Sequence, residues 1–208
     1  MKTCEFNIRS FLNRGVKMEL QLPKPVLEGG KSLEECIHKR ESVRSYSDKK
    51  IEIEKISQIL WAAQGKKGLK RTVPSAGATY PLEIYVTIKG KGYFHYNFKK
   101  HLLELITEDN LGHKLAQASW DQRFIEEVYL NIIICADYSR TTNQYGERGV
   151  RYVYIEVGHC AQNVHLEAVA LDLSSVPIGA FQDRQVKKVL DLPKNIEPLY
   201  IIPIGYPK

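Results

Sequence analysis

The stretch that decides the fold is Pro74-Ser75-Ala76-Gly77-Ala78-Thr79-Tyr80-Pro81, followed directly by Leu82-Glu83-Ile84-Tyr85-Val86-Thr87-Ile88. Its first half contains small residues without apolar periodicity, which predicts a loop whose backbone comes close to a flat ligand. Its second half alternates apolar and polar residues, a pattern typical of a half-buried strand. The sequence therefore predicts a bare loop that leads into a core strand, although an ordinary turn before a strand has the same composition.

A helix is predicted upstream of this stretch. Ser32 and Glu35 have the spacing of a capping box, in which two side chains satisfy free N–H groups of the first turn. We expect three residues of this helix to face inward: Leu33, Cys36 and Ile37. The chain is then divided into an N-terminal arm with an extended lead-in, residues 1–30, and one domain, residues 31–208.

The remaining elements follow from periodicity and turn residues. Helices are predicted near 52–64, 108–128, 150–171 and 183–190, and strands near 82–89, 93–96, 102–106, 130–136, 176–178 and 199–204. No element fits residues 65–81, and the lack of periodicity in residues 141–149 predicts a mobile loop. The helix at 150–171 is apolar on several faces, which indicates burial against the rest of the domain or against a second subunit.

Composition limits the classes of partner. The 208 residues include 30 Lys and Arg against 24 Asp and Glu, and the net charge of +6 favours anionic partners, from nucleotide cofactors to nucleic acid. Because the basic residues are scattered, we expect no nucleic-acid partner. No apolar run reaches membrane-spanning length and no secretory signal is visible, so we expect a cytoplasmic protein without a membrane partner.

Cysteine and histidine positions argue against a disulfide frame, a metal site and a nucleophilic thiol. The four cysteines are far apart in sequence and are predicted to be reduced core thiols: Cys4, Cys36, Cys135 and Cys160. Cys160 lies in an apolar helix without an activating base. His159 and His165 point to different faces of that helix, which predicts packing roles for both.

The segment Arg40-Glu41-Ser42-Val43-Arg44 follows the first predicted helix. In an extended chain, alternate positions face the same way, so Arg40, Ser42 and Arg44 can converge on one anion. Arginine binds phosphate oxygens through forked, charge-assisted hydrogen bonds. Basic residues at a helix end also complement the helix dipole, so this segment predicts a phosphate site only if other motifs support it.

Six motifs occur in order along the chain. They are Arg40-Glu41-Ser42-Val43-Arg44-Ser45-Tyr46, Leu60-Trp61-Ala62-Ala63-Gln64-Gly65, Arg71-Thr72-Val73-Pro74-Ser75-Ala76-Gly77-Ala78-Thr79-Tyr80-Pro81, Gly158-His159-Cys160-Ala161-Gln162-Asn163, Pro177-Ile178-Gly179-Ala180-Phe181 and Ile204-Gly205-Tyr206-Pro207. Together they resemble the nitroreductase family of FMN-dependent oxidoreductases, most closely its streptolysin-associated, SagB-type dehydrogenase branch. The resemblance implies an α+β fold of nitroreductase type, with a mostly antiparallel sheet flanked by helices and FMN at a homodimer interface.

The resemblance also implies which residues bind FMN. Residues that match the phosphate-binding segment are Arg40, Ser42 and Arg44, and Lys208 is the basic residue beyond the last strand that would reach the phosphate. Residues that match the loop beside the isoalloxazine ring are Pro74, Ser75, Ala76 and Gly77. Gly179 and Ala180 match a segment whose backbone N–H groups point to flavin N5 and O4.

Two further residues are assigned to the cofactor site, and each has a second interpretation that does not involve the cofactor. Arg71 is the candidate cation that stabilises charge on the N1/O2 side of the reduced flavin, and a solvated loop arginine is the alternative. Asn163 is expected to hold the long helix against the flavin loop, and a simple helix–helix hydrogen bond is the alternative. No side chain is assigned a catalytic role, since the chemistry belongs to flavin N5.

Departures from the family pattern indicate the branch. Where typical nitroreductases carry Asn, Gln and Trp in this loop, this chain has Ala78, Tyr80 and Leu82. These residues fit the dehydrogenase branch, which implies ping-pong chemistry that removes hydride from an organic substrate such as an azoline ring in a modified peptide. The alternatives are an NAD(P)H-dependent reductase of nitro compounds or quinones and a flavin-binding protein without turnover.

Overall fold

The structure, a computed structural model, describes residues 18–208. Residues 1–17, which belong to the predicted N-terminal arm and lead-in and include Cys4, lie outside the described residues. The described strands are β1 (Glu19–Gln21), β2 (Lys66–Lys67), β3 (Lys70–Arg71), β4 (Leu82–Ile88), β5 (Gly92–Asn97), β6 (Leu102–Thr107), β7 (Leu130–Ala136), β8 (Ser174–Ser175) and β9 (Glu197–Gly205). The helices are α1 (Leu33–Lys39), α2 (Ile53–Gln64), α3 (Gly112–Ala118), α4 (Phe124–Glu127), α5 (Ser139–Tyr145), α6 (Arg148–Ala170) and α7 (Asp183–Val189).

A seven-stranded sheet in the order β1-β6-β5-β4-β7-β9-β8 organises the fold. All neighbouring strands in it are antiparallel, so the predicted α+β class with an antiparallel sheet is confirmed. The edge strand β1 comes from the predicted lead-in and pairs with β6. The apolar run at β7 is buried along its whole length and lies near the middle of the sheet, as its composition predicts.

The strand β4 is buried on both faces, so the prediction of a half-buried strand is wrong. Leu82, Ile84 and Val86 belong to a core that also contains residues of α2 and α6. Tyr85 points to the opposite face, into a second core formed with α3 and α7. Helices therefore cover both faces of the sheet, and the polar positions of β4 lie under the second layer.

The helix α6 spans the first core. Its inward stripe, which contains Val153, Val157 and Val164, is buried, while Tyr154 and Ile155 are 56% and 49% exposed. In α1, the capping bond from Glu35 N–H to Ser32 Oγ forms at 3.1 Å as predicted. Only Cys36 of that helix is buried.

The expectation that Leu33 and Ile37 face inward is wrong, because they are 60% and 57% exposed. The two-turn helix α1 packs against α6 through Cys36, and the side chains of Leu33 and Ile37 are exposed to solvent.

Three other element predictions need correction. Residues 65–81 contain the β2–β3 hairpin and a short 3₁₀ turn at Ala76–Ala78. The predicted mobile loop at 141–149 is mostly helix, since α5 ends at Tyr145 and α6 begins at Arg148. The predicted strand at 176–178 is displaced to β8, and Ile178 forms a single bridge to Ile201.

The helix α5 was not predicted because it has no apolar periodicity and depends on side-chain hydrogen bonds at its start. The backbone N–H and hydroxyl of Ser139 donate to Asp137 Oδ1 at 3.0 and 2.6 Å. Thr141 is its buried residue, so the helix has no apolar stripe to recognise.

The described cysteines, Cys36, Cys135 and Cys160, are buried and free, as expected for core thiols. Among residues 18–208, no helix has the length and hydropathy needed to cross a membrane.

Candidate active site

The segment after α1 runs along the edge of the sheet at β8. Ser42 forms a parallel bridge with Ser175, and the N–H of Val43 donates to the carbonyl of Ser175 at 3.2 Å. Because this pairing needs an extended chain, it favours the alternation that brings Arg40, Ser42 and Arg44 to one side.

The C-terminal end of the chain lies beside the same segment. Tyr46 bridges Pro207, and the backbone N–H of Lys208 donates to the carbonyl of Ser45 at 3.4 Å. The structure therefore brings the segment 40–44 and Lys208 to one corner of the molecule, which we call the basic corner (Arg40, Ser42, Arg44 and Lys208).

The cations of the basic corner have no counterion among residues 18–208. Arg40 is half-buried, and Ser42, Arg44 and Lys208 are exposed. Within the described part of the chain, none of the ion pairs includes Arg40, Arg44 or Lys208. An anion bound here would meet positive charge that no carboxylate of the described residues pairs with, although Arg40 also caps α1 at its C-terminal end.

His165 lies behind the basic corner. Its Nδ1 is 2.8 Å from Ser175 Oγ, and its Nε2 is buried without a hydrogen-bond partner among the described residues. Burial, with a smaller effect from the Arg40 charge, lowers the pKa of His165 to about 4. The imidazole is therefore neutral at physiological pH and has the packing role predicted for it.

A cavity of about 240 Å³ lies between the Pro-Ser loop and α6. Its lining consists of Pro74, Ser75, Ala76, Tyr152, Ile155, Glu156 and His159. Three of the four predicted ring-binding residues therefore face one cavity. His159, for which a packing role was predicted, is exposed and lines this cavity.

The Pro-Ser loop has an unusual backbone. Gly77, Ala78 and Tyr80 have φ of 56°, 55° and 47°, in the left-handed region. Ser75 Oγ accepts a hydrogen bond from the N–H of Tyr80 at 2.9 Å, which closes the loop on itself. A Cβ at Gly77 would lie 2.6 Å from Tyr145 Oη, so the end of α5 packs directly on this glycine.

Glu156 carries the carboxyl group in the wall of this cavity. It is 3% exposed, and its Oε1 has no hydrogen-bond partner among the described residues. Burial raises the pKa of Glu156 to about 7, although Ser75, Arg71 and Gln64 act in the opposite direction. The carboxyl group therefore holds its proton to a much higher pH than an exposed glutamic acid does.

Arg71 lies behind the Pro-Ser loop and makes internal contacts. Its Nη1 donates to Gln64 Oε1 at 2.9 Å and to the carbonyl of Leu82 at 3.1 Å. Its guanidinium carbon lies 3.7 Å from the centroid of the Phe98 ring. Arg71 is thus not a solvated loop residue, and its contact with the flavin stays a prediction.

The other predicted residues lie at separate places. Asn163 Nδ2 donates to the carbonyl of Ala62 at 3.2 Å, which is the helix–helix bond between α6 and α2 considered above. Gly179 and Ala180 are exposed, and the carbonyl of Ala180 accepts from Gln122 Nε2 at 3.0 Å.

The cavity and the basic corner lie at different levels of α6. Glu156 marks the cavity and His165 marks the corner, and nine helical residues correspond to about 13.5 Å along the axis.

Sequence reasoning assigned no site role to Tyr152, Ile155, Glu156 or His159. The available signal was Glu156, an acidic residue between the buried Val153 and Val157. A carboxyl group in an apolar stripe needs a partner or a function.

Comparisons with known proteins agree with the fold and the motifs. Residues 37–206 match the sequence model of the Nitroreductase family. A candidate nitroreductase of Methanocaldococcus jannaschii is 44% identical over 199 residues, which are 92% of this chain and 98% of that protein. The microcin B17-processing protein McbC of Escherichia coli is 23% identical over 160 residues, 72% of this chain and 59% of that protein.

The fold has a solved counterpart. A crystal structure of a candidate nitroreductase from Ralstonia eutropha superposes with a TM-score of 0.83 at 24% identity, covering 91% of this chain and 90% of that one. The family match spans most of the chain, and the 44% identical relative is covered almost completely. This chain therefore belongs to the nitroreductase family and is an oxidoreductase.

Proposed function

We propose that this protein is an FMN-dependent oxidoreductase in which the basic corner binds the FMN phosphate and the Pro-Ser loop lies against the flavin ring. The observation that carries the proposal is that the segment 40–44 and Lys208 lie together at one corner, where Arg40, Arg44 and Lys208 have no counterion among residues 18–208. Forked guanidinium donors and a serine hydroxyl suit a phosphate dianion.

The residues present also fit the ring of the cofactor. The cavity wall formed by Pro74, Ala76 and Ile155 is apolar and suits a flat aromatic system. The left-handed backbone at Gly77 lets the loop turn while the end of α5 packs against it at Tyr145. In this proposal the backbone N–H groups of Gly179 and Ala180 approach the ring, while Arg71 and Asn163 support the loop and α6 from behind.

When bound, FMN supplies an N5 atom that accepts and returns a hydride. The chain contributes binding and orientation. The basic corner fixes one end of the cofactor, and the Pro-Ser loop fixes the ring and limits the access of water. The proposal includes a ping-pong order, in which the first substrate leaves before the second enters, as the resemblance to this family implies.

We further propose a cytoplasmic homodimer with one FMN per protomer. Val150, Tyr154 and Ile155 on α6 are 37%, 56% and 49% exposed, which is unusual for large apolar side chains in one helix. Since Ile155 also lines the cavity, a second copy packed on this face would enclose the ring.

The substrate proposed is an azoline ring in a modified peptide. Ala78, Tyr80 and Leu82 replace the Asn, Gln and Trp typical of nitroreductases, and one relative is a microcin-processing protein. A second candidate function is NAD(P)H-dependent reduction of nitro compounds or quinones, which the 44% identity to a candidate nitroreductase favours.

The test is an absorbance spectrum of the purified protein, repeated without oxygen after addition of a thiazoline peptide, NADH or NADPH. Bleaching of a bound flavin by the thiazoline supports the dehydrogenase, and bleaching by a pyridine nucleotide supports the reductase. A flavin that none of the three donors bleaches indicates a binding protein without turnover. The absence of bound flavin after incubation with FMN would contradict the proposal.

A further inference from the structure

The wall of the cavity beside the Pro-Ser loop contains a carboxyl group, that of Glu156, which has no role in the proposed function. Glu156 lines the cavity, is 3% exposed, and keeps Oε1 without a hydrogen-bond partner among the described residues. A buried carboxyl group with a free oxygen beside a ligand cavity is costly to maintain, so it points to a role in the chemistry.

The groups around Glu156 come from each element packed on it. Gln64 approaches from α2, Arg71 from β3, Ser75 from the loop and Cys160 from the next turn of α6. Arg71 is the cation of this set, and its Nη1 is already engaged by Gln64 and Leu82. The positive charge of Arg71 thus lowers the pKa of the Glu156 carboxyl group, although the two side chains do not form an ion pair.

These neighbours leave Glu156 able to exchange a proton at neutral pH. Burial brings its pKa to about 7, where an acid–base group is most effective. His159 also lines the cavity, but it is exposed to solvent. Ser75 Oγ accepts from the N–H of Tyr80, so its hydroxyl proton is free to face Glu156 or a ligand.

We propose that Glu156 is the proton acceptor of this active site, taking the proton that leaves the substrate during dehydrogenation. This inference rests on the proposed function. In the oxidation of a thiazoline, a C–H bond at one ring carbon breaks and its hydrogen leaves with the electron pair to the oxidised flavin. The C–H bond at the neighbouring carbon breaks and gives its proton to the Glu156 carboxylate.

The step balances. A carbon–carbon double bond forms, so the substrate loses one hydride and one proton and becomes a thiazole. The flavin is reduced by the same two electrons, and the proton on Glu156 is later released to solvent. In the reductase candidate the same group works in the opposite direction, giving a proton to the reduced product.

The variants that test this role are Glu156→Gln, which cannot accept a proton, and Glu156→Asp, which withdraws the carboxylate by one methylene. Glu167→Gln is the matched control, because Glu167 is a half-buried acid on the same helix three turns away, and burial also raises its pKa. FMN content and the flavin spectrum of each FMN-loaded variant are recorded before any donor is added.

The first readout needs no turnover. Infrared difference spectra of the FMN-loaded protein between pH 5 and 9 follow the carbonyl band of a protonated carboxylic acid. We expect a band that disappears with a midpoint near pH 7 in the wild type and in Glu167→Gln, and that is missing in Glu156→Gln. A band unchanged in Glu156→Gln would overturn the assignment.

The second readout is the rate of anaerobic flavin bleaching by a synthetic thiazoline peptide as a function of pH. In the wild type the rate should rise about tenfold per pH unit below pH 7 and level off above it. Glu156→Gln should bleach at least about 100-fold more slowly without this pH profile, and Glu156→Asp should recover part of the rate.

The two proposals fail in different ways. A wild type that holds no flavin contradicts the proposed function, and this is visible before the donor is added. A wild type that holds flavin but is not bleached by thiazoline contradicts the peptide substrate. The rate at which a quinone reoxidises the reduced protein then decides on Glu156, because the wild type should exceed Glu156→Gln in this proton-consuming step and equal rates would overturn the role. Bleaching of Glu156→Gln at the wild-type rate and with the wild-type pH profile overturns the role of Glu156 alone.

Discussion

The basic corner and the cavity handle polar groups in opposite ways. At the corner, Arg44, Ser42 and Lys208 are exposed, so water solvates the charges and their lack of partners has little effect on folding. At the cavity, Glu156 Oε1, Gln64 Nε2 and Arg71 Nε are buried without partners among the described residues. Such groups destabilise the folded state. The charged groups of the basic corner therefore have little effect on the stability of the fold, while the buried polar groups around the cavity lower it.

The largest effect is expected at the basic corner, on binding alone. If the proposed phosphate site is correct, replacing Arg40 and Arg44 together by Gln removes two charge-assisted contacts to the FMN phosphate, each worth about 1.5 to 3 kcal/mol. We expect FMN affinity to fall about 100-fold or more, measured by fluorescence titration.

The control for this pair is Arg123→Gln with Arg184→Gln, which changes the net charge equally at two exposed sites. The urea midpoint of the Arg40 and Arg44 variant should stay near that of the wild type. Equal loss of affinity in both double variants would mean that the corner acts only through overall charge.

The next effect is expected at the cavity, on stability. The pKa of Glu156 is raised from 4.5 to about 7 in the folded protein, so between these values the unfolded chain releases a proton that the folded chain keeps. This group therefore lowers stability as pH rises from about 4.5 to 7, by up to about 3 kcal/mol.

Glu156→Gln removes that contribution. The variant should match the wild type near pH 4.5 and exceed it in free energy of unfolding above pH 7, as measured by urea titration at both pH values. The same pH dependence in both proteins would show that Glu156 titrates normally.

A third effect distinguishes Arg71 from the arginines of the corner. Arg71→Met leaves Gln64 Oε1 and the Leu82 carbonyl without their donor and removes the contact with Phe98. We expect a loss of about 2 to 3 kcal/mol in the free energy of unfolding. A loss below about 0.5 kcal/mol, as for a surface arginine, would mean that these contacts do not form.

The smallest effect concerns the loop itself. Gly77→Ala places a Cβ in a left-handed conformation and against Tyr145 Oη, which predicts a loss of about 1 to 2 kcal/mol. Gly68→Ala is the control, since Gly68 has φ +60 with nothing within 4 Å of its Cβ position. Calorimetry of both variants separates the backbone strain from the contact, and equal losses would argue against packing of α5 on the loop.

The difference between the two regions also explains what the sequence could predict. Arg40, Ser42 and Arg44 lie within five residues, so alternation and resemblance predicted them together as one site, and that site stays a prediction. The strands β4 and β7 and the helix α6 were predicted for the same reason, because their patterns are local. The contact between Ser75 and Glu156 joins distant parts of the chain, and no local pattern contains it.

The errors have the same physical origin. The second layer over β4 comes from α3 and α7, which are remote in sequence, so burial of Tyr85 could not be read from the strand. The helix α5 is stabilised by side-chain capping at Asp137 and by packing on Gly77, neither of which produces apolar periodicity. Capping and tertiary contacts decide such elements.

The most direct test of the central claim is the affinity of the protein for FMN compared with riboflavin, which lacks the phosphate. If the basic corner holds that phosphate, the wild type should bind FMN at least about 100-fold more tightly than riboflavin. The Arg40→Gln and Arg44→Gln double variant should bind both with similar, weak affinity. A double variant that keeps the full preference for FMN would contradict the account.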